Sequence, residues 1–376
     1  MKIALISLHS FLKPGGVKRH ILGLYKEYKR KGIDVKIIVP RRKLAENYGK
    51  SVILLGTSFP VSFGGAQGDF VINFDPTSIE RTLGREKFDV LHFHNLGVPS
   101  GLQILTSPYT SNTLNILTFH ANIESLKTFP FLIDLLNRVC RWKMDGIIGV
   151  APIALNPFKK YHGPKALIPN GVDLKEFNPR GPKIKKFLDG KINILFVGRI
   201  EERKGLIYLL RAFKILEKKY PGEIRLIVVG EGDLEGECKN YVKENNLKEV
   251  HFEGQKTGKE LVSYYRTCDI FCSPAIFGES FGLVLIEAMA CAKPIVAFGN
   301  LGYKQLLQGK KGGKFLVKPR DYKSLAKKLE ILIKSPRLRK EMGDWGLKEA
   351  KKYSWQKVAE QVLKFYRVCK RAGTKN

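Results

Sequence analysis

Two carboxylates eight residues apart carry the most specific chemistry in this chain. Glu279 sits in the turn Gly278-Glu279-Ser280-Phe281-Gly282, and Glu287 sits inside an otherwise apolar run that ends at Cys291. The run reads as a buried helix whose N-terminus lies near Gly282. A carboxylate in such a run must find hydrogen-bond donors, because an unpaired buried charge is expensive. Eight residues make a little over two helical turns, so both carboxylates can face one side. The free N–H groups at the helix start point the same way and favour an anion. Hydroxyl groups joined to a phosphate would satisfy this whole arrangement, and a sugar nucleotide supplies both. The alternative is an exposed turn Glu with a core Glu paired to some Arg.

A second cluster of charge precedes a helix. Ile192–Val197 reads as a strand, followed by Gly198-Arg199-Ile200-Glu201-Glu202-Arg203-Lys204-Gly205 and a helix from Leu206. Arg199, Arg203 and Lys204 crowd a strand–helix loop, which suits a pyrophosphate; a solvated basic loop is the plain alternative. Near the N-terminus, the apolar strand Lys2–Leu8 leads through Pro14-Gly15-Gly16 into a helix with Val17, Ile21, Leu24, Tyr25 and Tyr28 at helical spacing. That geometry sets backbone N–H groups on a phosphate. The Gly-x-Gly-x-x-Gly fingerprint of a dinucleotide site is absent.

Further strand-like runs at 34–39, 52–55, 89–93, 115–119 and 146–150 alternate with helical patterns. After a polar stretch at 174–191, read as a linker, the alternation resumes with strands near 224–229, 250–252, 269–272 and 294–297. This predicts two parallel α/β domains, in which ligands bind beyond the strand C-terminal ends. Asp75-Pro76 is an N-cap with a first-turn proline. Histidines mark two strand ends, His92-Phe93-His94 and Thr118-Phe119-His120. His92 and His94 share one strand face, but metal ligation needs a third ligand that the local sequence does not supply. His120 directly follows an apolar strand, at a position expected to line a cleft rather than a core.

The 376 residues carry a formal charge of +31, with 66 Lys+Arg against 35 Asp+Glu. Such an excess points to nucleic acid, an anionic membrane surface or phosphorylated substrates, unless it is compositional. Residues 1–50 alone hold 13 basic and 3 acidic residues. The first helix concentrates Lys18, Arg19, Lys26, Lys29, Arg30 and Lys31 on its solvent side, a pattern suited to an anionic lipid surface. The six cysteines have no zinc-binding spacing and read as reduced core thiols of a cytoplasmic protein. No run reaches membrane-spanning length.

Taken together, Pro14-Gly15-Gly16-Val17, Thr118-Phe119-His120, Pro169-Asn170-Gly171-Val172-Asp173, Gly198-Arg199 with Lys204-Gly205, and Glu279-Ser280-Phe281-Gly282 with Glu287-Ala288 resemble the family 4 retaining glycosyltransferases. Within that family the stretches Phe88–His94, Thr118–His120 followed by Lys127, and Phe277–Ala290 are most similar to phosphatidylinositol α-mannosyltransferases. The resemblance implies a GT-B fold, two Rossmann-like domains facing across a deep interdomain cleft. It assigns residues 1–173 with a C-terminal helix, 356–376, to the acceptor-side domain and 174–355 to the nucleotide-sugar domain.

By motif, Arg199 and Lys204 would bind the donor pyrophosphate, with Gly15 and Gly16 approaching it. Glu279 would bind sugar hydroxyls and Glu287 the ribose, beside Phe281, Gly282 and Leu283. His120, Glu279, Arg199 and Lys204 would form the catalytic group. The resemblance also implies retention with front-side attack through an oxocarbenium-like state, with no metal required and GDP-mannose as the preferred donor. No Asp-x-Asp pair occurs. Two departures stand out: Ala121 follows His120 where many relatives carry a polar residue, and Gln255–Lys259 does not match a guanine pocket. A UDP-sugar transferase with a soluble or glycan acceptor, a sugar-nucleotide epimerase on the same fold and a basic nucleic-acid-binding protein are the competing readings. No zinc-finger spacing or RNA-binding aromatic motif supports the last. The acceptor would be an anionic lipid, placing the protein on the cytoplasmic face of a membrane.

Overall fold

The computed structural model describes all residues except 13–14, 64–65, 98, 122–129 and 374–376. Pro14 and Lys127 of the motifs above lie outside the described residues. The chain forms two compact units, Met1–Gly171 with Trp355–Asn376, and Val172–Ser354.

The first unit holds an eight-stranded sheet. Its strands are β1 (Lys2–Ser7), β2 (Asp34–Arg41), β3 (Val52–Phe63), β4 (Ala66–Ile72), β5 (Val90–His94), β6 (Leu114–Phe119), β7 (Gly146–Gly149) and β8 (Lys165–Leu167). They lie in the order β4-β3-β2-β1-β5-β6-β7-β8. All pairs are parallel except β3–β4, an antiparallel hairpin that the sequence pattern missed beyond Leu55. β1 and β5 are buried almost throughout because a central parallel strand is covered on both faces. Asp75 caps the helix Pro76–Glu86 as expected, its side chain accepting the Thr77 N–H at 3.0 Å.

The helix Gly16–Arg30 buries Ile21, Leu24 and Tyr28 completely. Beside it lies the terminal helix Trp355–Gly373, which buries Val358, Ala359, Val362, Phe365, Tyr366 and Cys369 in the same core. Their close approach depends on Gly23: a Cβ there would stand 2.2 Å from the Trp355 ring, and one at Gly171 would stand 2.5 Å from it.

The second unit holds β9 (Ile192–Val197), β10 (Ile224–Val229), β11 (Val250–Phe252), β12 (Ile270–Ser273), β13 (Ile295–Phe298) and β14 (Leu316–Val317). The order β11-β10-β9-β12-β13-β14 is the Rossmann order 3-2-1-4-5-6, and every pair is parallel. The strand order reverses between β9 and β12, and in the first unit between β1 and β5. A crevice beyond the carboxyl ends of those strands is where ligands bind such sheets.

Two expectations change. The stretch 174–191 is no free linker, because Phe177 and Phe187 are buried in the second unit. Arg266 also ties it down, donating to the Asn178 carbonyl at 2.9 Å and the Glu176 carbonyl at 3.0 Å. Its polar composition concealed the two anchoring rings. The divisions between units fall after Gly171 and after Ser354 rather than after 173 and 355. The Val172 N–H bonds the Tyr353 carbonyl at 2.8 Å within the second unit, whereas Trp355 lies 5.2 Å from the His20 ring in the first.

Gly23→Val should therefore loosen the terminal helix. Overpacking of this kind costs about 1–3 kcal/mol, so a lower melting temperature and early proteolytic release of the C-terminal segment are expected. Unchanged melting and protease resistance would mean that Trp355 does not depend on the glycine.

Candidate active site

In the second unit two strand-end loops meet at the switch point. After β9 the chain passes Gly198 and Arg199, makes a short turn at Glu202–Lys204 and reaches Gly205 at φ 68°. A Cβ on Gly205 would stand 2.2 Å from the Pro274 carbonyl in the loop after β12. The Ile276 N–H also bonds the Arg203 carbonyl at 2.8 Å. Held together this way, the loops pair their charges. Lys204 Nζ at 2.5 Å and Arg203 Nη1 at 3.0 Å both bind Glu279 Oε1. Arg203 Nε reaches Glu201 Oε1 at 2.5 Å, and Arg199 Nη1 lies 3.3 Å from Glu201 Oε2.

The Glu279 side chain is only 11% exposed, so it is not the exposed turn residue of the plain reading. Burial alone would raise its carboxyl pKa, but the Lys204 and Arg203 cations outweigh burial and hold it below the usual range. Among the described residues, Arg199, Arg203 and Lys204 pair with Glu201 and Glu279 here. Arg199 is the most open of the five, its side chain 46% exposed.

Gly282, at φ 101°, opens the helix Leu283–Ala290, and a Cβ there would press on the Tyr303 ring at 2.8 Å. Glu287 is buried in this helix and accepts the Tyr265 hydroxyl at 2.8 Å. Phe281 is buried edge-on to Tyr353, with ring centroids 5.7 Å apart, and Leu283 is half-buried. Gln255, in the stretch expected near the base, donates its N–H to Glu231 Oε1 at 3.1 Å.

In the first unit, Gly15 caps the helix Gly16–Arg30, and both glycines are exposed. No acidic residue stands in its first turn, so the positive end of the helix is not neutralised there. At the switch point of this sheet four histidines gather. The His120 N–H bonds Asn95 Oδ1 at 2.8 Å, and Asn95 adopts the left-handed φ of 63° that asparagine tolerates. His120 Nε2 lies 3.1 Å from His94 Nδ1, and the His20 ring lies 4.7 Å from that of His120. His20 Nδ1 contacts Asn170 Oδ1 at 2.7 Å. His92 turns away, engaged by Thr118 Oγ1 and by the Tyr366 hydroxyl, each at 2.6 Å.

His120 is therefore buried among rings, not lining an open surface as its strand-end position suggested. Burial, reinforced by neighbouring histidines, lowers the pKa of His92, His94 and His120 well below the ordinary imidazole value, and burial lowers His20 to about 4. Sequence reasoning named Arg203 but gave it no role at Glu279, quoted Asn170 only within a turn motif, and missed His20 and Tyr265. Their partners lie far away in the chain, and no local pattern announces such meetings.

Comparison with known proteins identifies the family. Residues 14–176 match glycosyltransferase family 4, and residues 179–349 match glycosyl transferases group 1. The chain belongs to the family 4 glycosyltransferases and is itself a glycosyltransferase. It is 30% identical over 386 residues to the phosphatidyl-myo-inositol mannosyltransferase of Mycobacterium tuberculosis (strain ATCC 25618 / H37Rv), covering 100% of this chain and 99% of that one. It is 28% identical to an uncharacterized glycosyltransferase of Methanocaldococcus jannaschii, covering 97% and 98% of the two chains. Among solved structures, sucrose-phosphate synthase from Thermosynechococcus elongatus superposes with a TM-score of 0.79 at 22% identity over 99% of both chains. Anabaena HepE in complex with UDP and glucose gives a TM-score of 0.77 at 18% identity, over 97% of this chain and 98% of that one. These likenesses place the fold in the GT-B class.

The histidine cluster makes the first unit acid-sensitive. An imidazole whose pKa is depressed on folding costs nothing above its unfolded value near 6.5. Its penalty grows as pH falls below that value and levels off once pH passes the folded pKa, near 4 for His20. His20 alone contributes on the order of 3 kcal/mol of acid destabilisation. Denaturant melts monitored at Trp355 should show stability falling between about pH 6.5 and 4. The fall should be smaller in His20→Gln, and a flat profile would show that the rings protonate freely in place.

Proposed function

We propose that this glycosyltransferase moves mannose, with retention, from a nucleoside-diphosphate sugar to a phosphatidylinositol-type lipid at the cytoplasmic face of a membrane. GDP-mannose is the preferred donor. The observation that carries the reading is Glu279, buried at the switch point of the second unit and sharing one oxygen between Lys204 and Arg203, in a chain similar over its full length to phosphatidyl-myo-inositol mannosyltransferases.

The electrostatics support transfer. When the bond from the anomeric carbon to the diphosphate breaks, negative charge grows on the departing phosphate. Lys204 and Arg199 stabilise it without a metal. Arg203 keeps Glu279 ionised while Lys204 is shared with phosphate, leaving the carboxylate to accept sugar hydroxyls. Glu287 receives the ribose hydroxyls. Gly15 and Gly16 are further donor-binding groups at the diphosphate, and His120 acts at the transferring sugar.

A thermal-shift screen of UDP-, GDP- and ADP-sugars followed by product mass analysis tests the donor. GDP-mannose should stabilise the protein and yield a mannosylated phosphatidylinositol, with EDTA leaving turnover intact. Stabilisation by UDP-sugars alone would overturn the mannosyl assignment. Lys204→Ala and Arg199→Ala should each weaken donor binding by about 1.5–3 kcal/mol. Unchanged donor affinity in either variant would remove that residue from the site.

Two helices of the first unit support lipid docking. The helix Gly16–Arg30 supplies exposed Lys26, Lys29 and Arg30, but its apolar face is already buried. The helix Pro130–Lys143 exposes Phe131, Leu135 and Trp142 beside Arg138 and Arg141, an apolar and basic face suited to a bilayer interface. Among the described residues no helix is long and apolar enough to cross a membrane. The protein should sediment with anionic but not neutral vesicles and release as salt rises. Trp142 fluorescence should shift to the blue on binding, and Leu135→Ser with Trp142→Ser should abolish sedimentation while sparing donor affinity. Efficient transfer to a soluble acceptor with no vesicle binding would sink the lipid reading.

A further inference from the structure

We propose that His20, His94 and His120 form a binding site for one divalent transition-metal cation, with zinc the best match. The three come from separate segments: His20 from the helix Gly16–Arg30, His94 from the end of β5 and His120 from just beyond β6. One ring nitrogen of each lies within 4.8 Å of the others, and all three rings are buried. Tetrahedral zinc with Zn–N bonds of about 2.0–2.1 Å sets its ligand nitrogens roughly 3.3 Å apart. His94 Nδ1 and His120 Nε2, at 3.1 Å, already have that spacing. His20 needs to close by no more than about 1.5 Å, a small side-chain rotation.

The hydrogen bonds orient the ligands. Asn170 Oδ1 can only accept, so His20 Nδ1 carries the ring proton and Nε2 presents a lone pair. That buried Nε2 has no hydrogen-bond partner among the described residues. An oxygen acceptor that fixes the tautomer behind a ligating imidazole is the usual second layer of a metal site. His94 Nε2, also buried and without a partner, takes the proton when Nδ1 ligates. His92 is excluded because both of its nitrogens are engaged. Three imidazoles leave the fourth position of a tetrahedral ion to water.

The site differs from a metal needed for turnover. Occupation ties up the one free lone pair of His120, so zinc should inhibit transfer and a chelator should restore it. That consequence rests on reading His120 as a catalytic group at the sugar; the binding itself rests on the geometry of the first unit alone.

Binding is therefore tested without reference to activity. Full-length protein, stripped with chelator and dialysed, is titrated with Zn²⁺ by calorimetry and with Co²⁺ by visible absorption. We expect one equivalent bound, tetrahedral Co²⁺ bands, and zinc-edge X-ray absorption showing three imidazole nitrogens at about 2.0–2.1 Å. His20→Gln and His94→Gln, checked for folding by circular dichroism, should weaken binding at least tenfold, and His251→Gln should not. Should a buried variant fail to fold, the absorption spectrum of the wild type still decides. Fewer than three imidazoles on the zinc, no binding at one equivalent, or unaltered affinity in a folded His20→Gln protein would overturn the site. Zinc bound as described without inhibition would overturn only the consequence for transfer.

Discussion

A carboxylate cannot be buried alone, and in the second unit that rule fixes the geometry of everything around Glu279. One of its oxygens takes both Lys204 and Arg203, so the loop after β9 and the loop after β12 must lie against each other. Gly205 is left-handed, and the Pro274 carbonyl occupies the space of a side chain, so the position calls for glycine twice over. Gly282 is left-handed where the helix Leu283–Ala290 starts, and the Tyr303 ring leaves no room for a side chain there. Before any substrate arrives, the site's charges neutralise one another in part. A diphosphate sugar would then exchange ion pairs within a fixed frame instead of assembling one, which keeps the reorganisation needed for catalysis small.

The first unit solves a different problem, that of neutral polar groups in a core. Tyr28 donates to the Tyr366 hydroxyl at 3.4 Å, the Tyr366 hydroxyl meets His92 at 2.6 Å, and His92 meets Thr118 at 2.6 Å. The first helix, the terminal helix and two central strands are thereby joined through one line of hydrogen bonds. Such a line specifies a single packing, because each member left unpaired costs about 1–3 kcal/mol. The rings of His20, His94 and His120 adjoin it without belonging to it.

Much of this was legible in the sequence, for identifiable reasons. Apolar parallel strands such as β1 and β9 are continuous buried runs, and the Asp75 cap is a local device, so both could be read directly. The motif residues Lys204 and Glu279 come together, yet the sequence paired each with a ligand and not with the other, since ion pairs across 75 positions leave no local trace. The stretch 174–191 misled because two phenylalanines anchor an otherwise polar segment. His120 misled because its exposure depends on His20 and His94, which arrive from other elements.

The way the first unit is assembled has a bearing on its synthesis. Its core is closed by Val358, Val362, Phe365 and Tyr366, all in the last helix of the chain. On a ribosome adding about 5–20 residues per second, Met1–Gly171 must wait on the order of ten to forty seconds while Val172–Ser354 is made. The unit encoded in the middle can complete its core first. The one that begins the chain meanwhile leaves uncovered the faces of Ile21, Leu24 and Tyr28 that await the last helix. For that interval the nascent protein carries an open apolar groove, which makes its N-terminal half the part most in need of a chaperone.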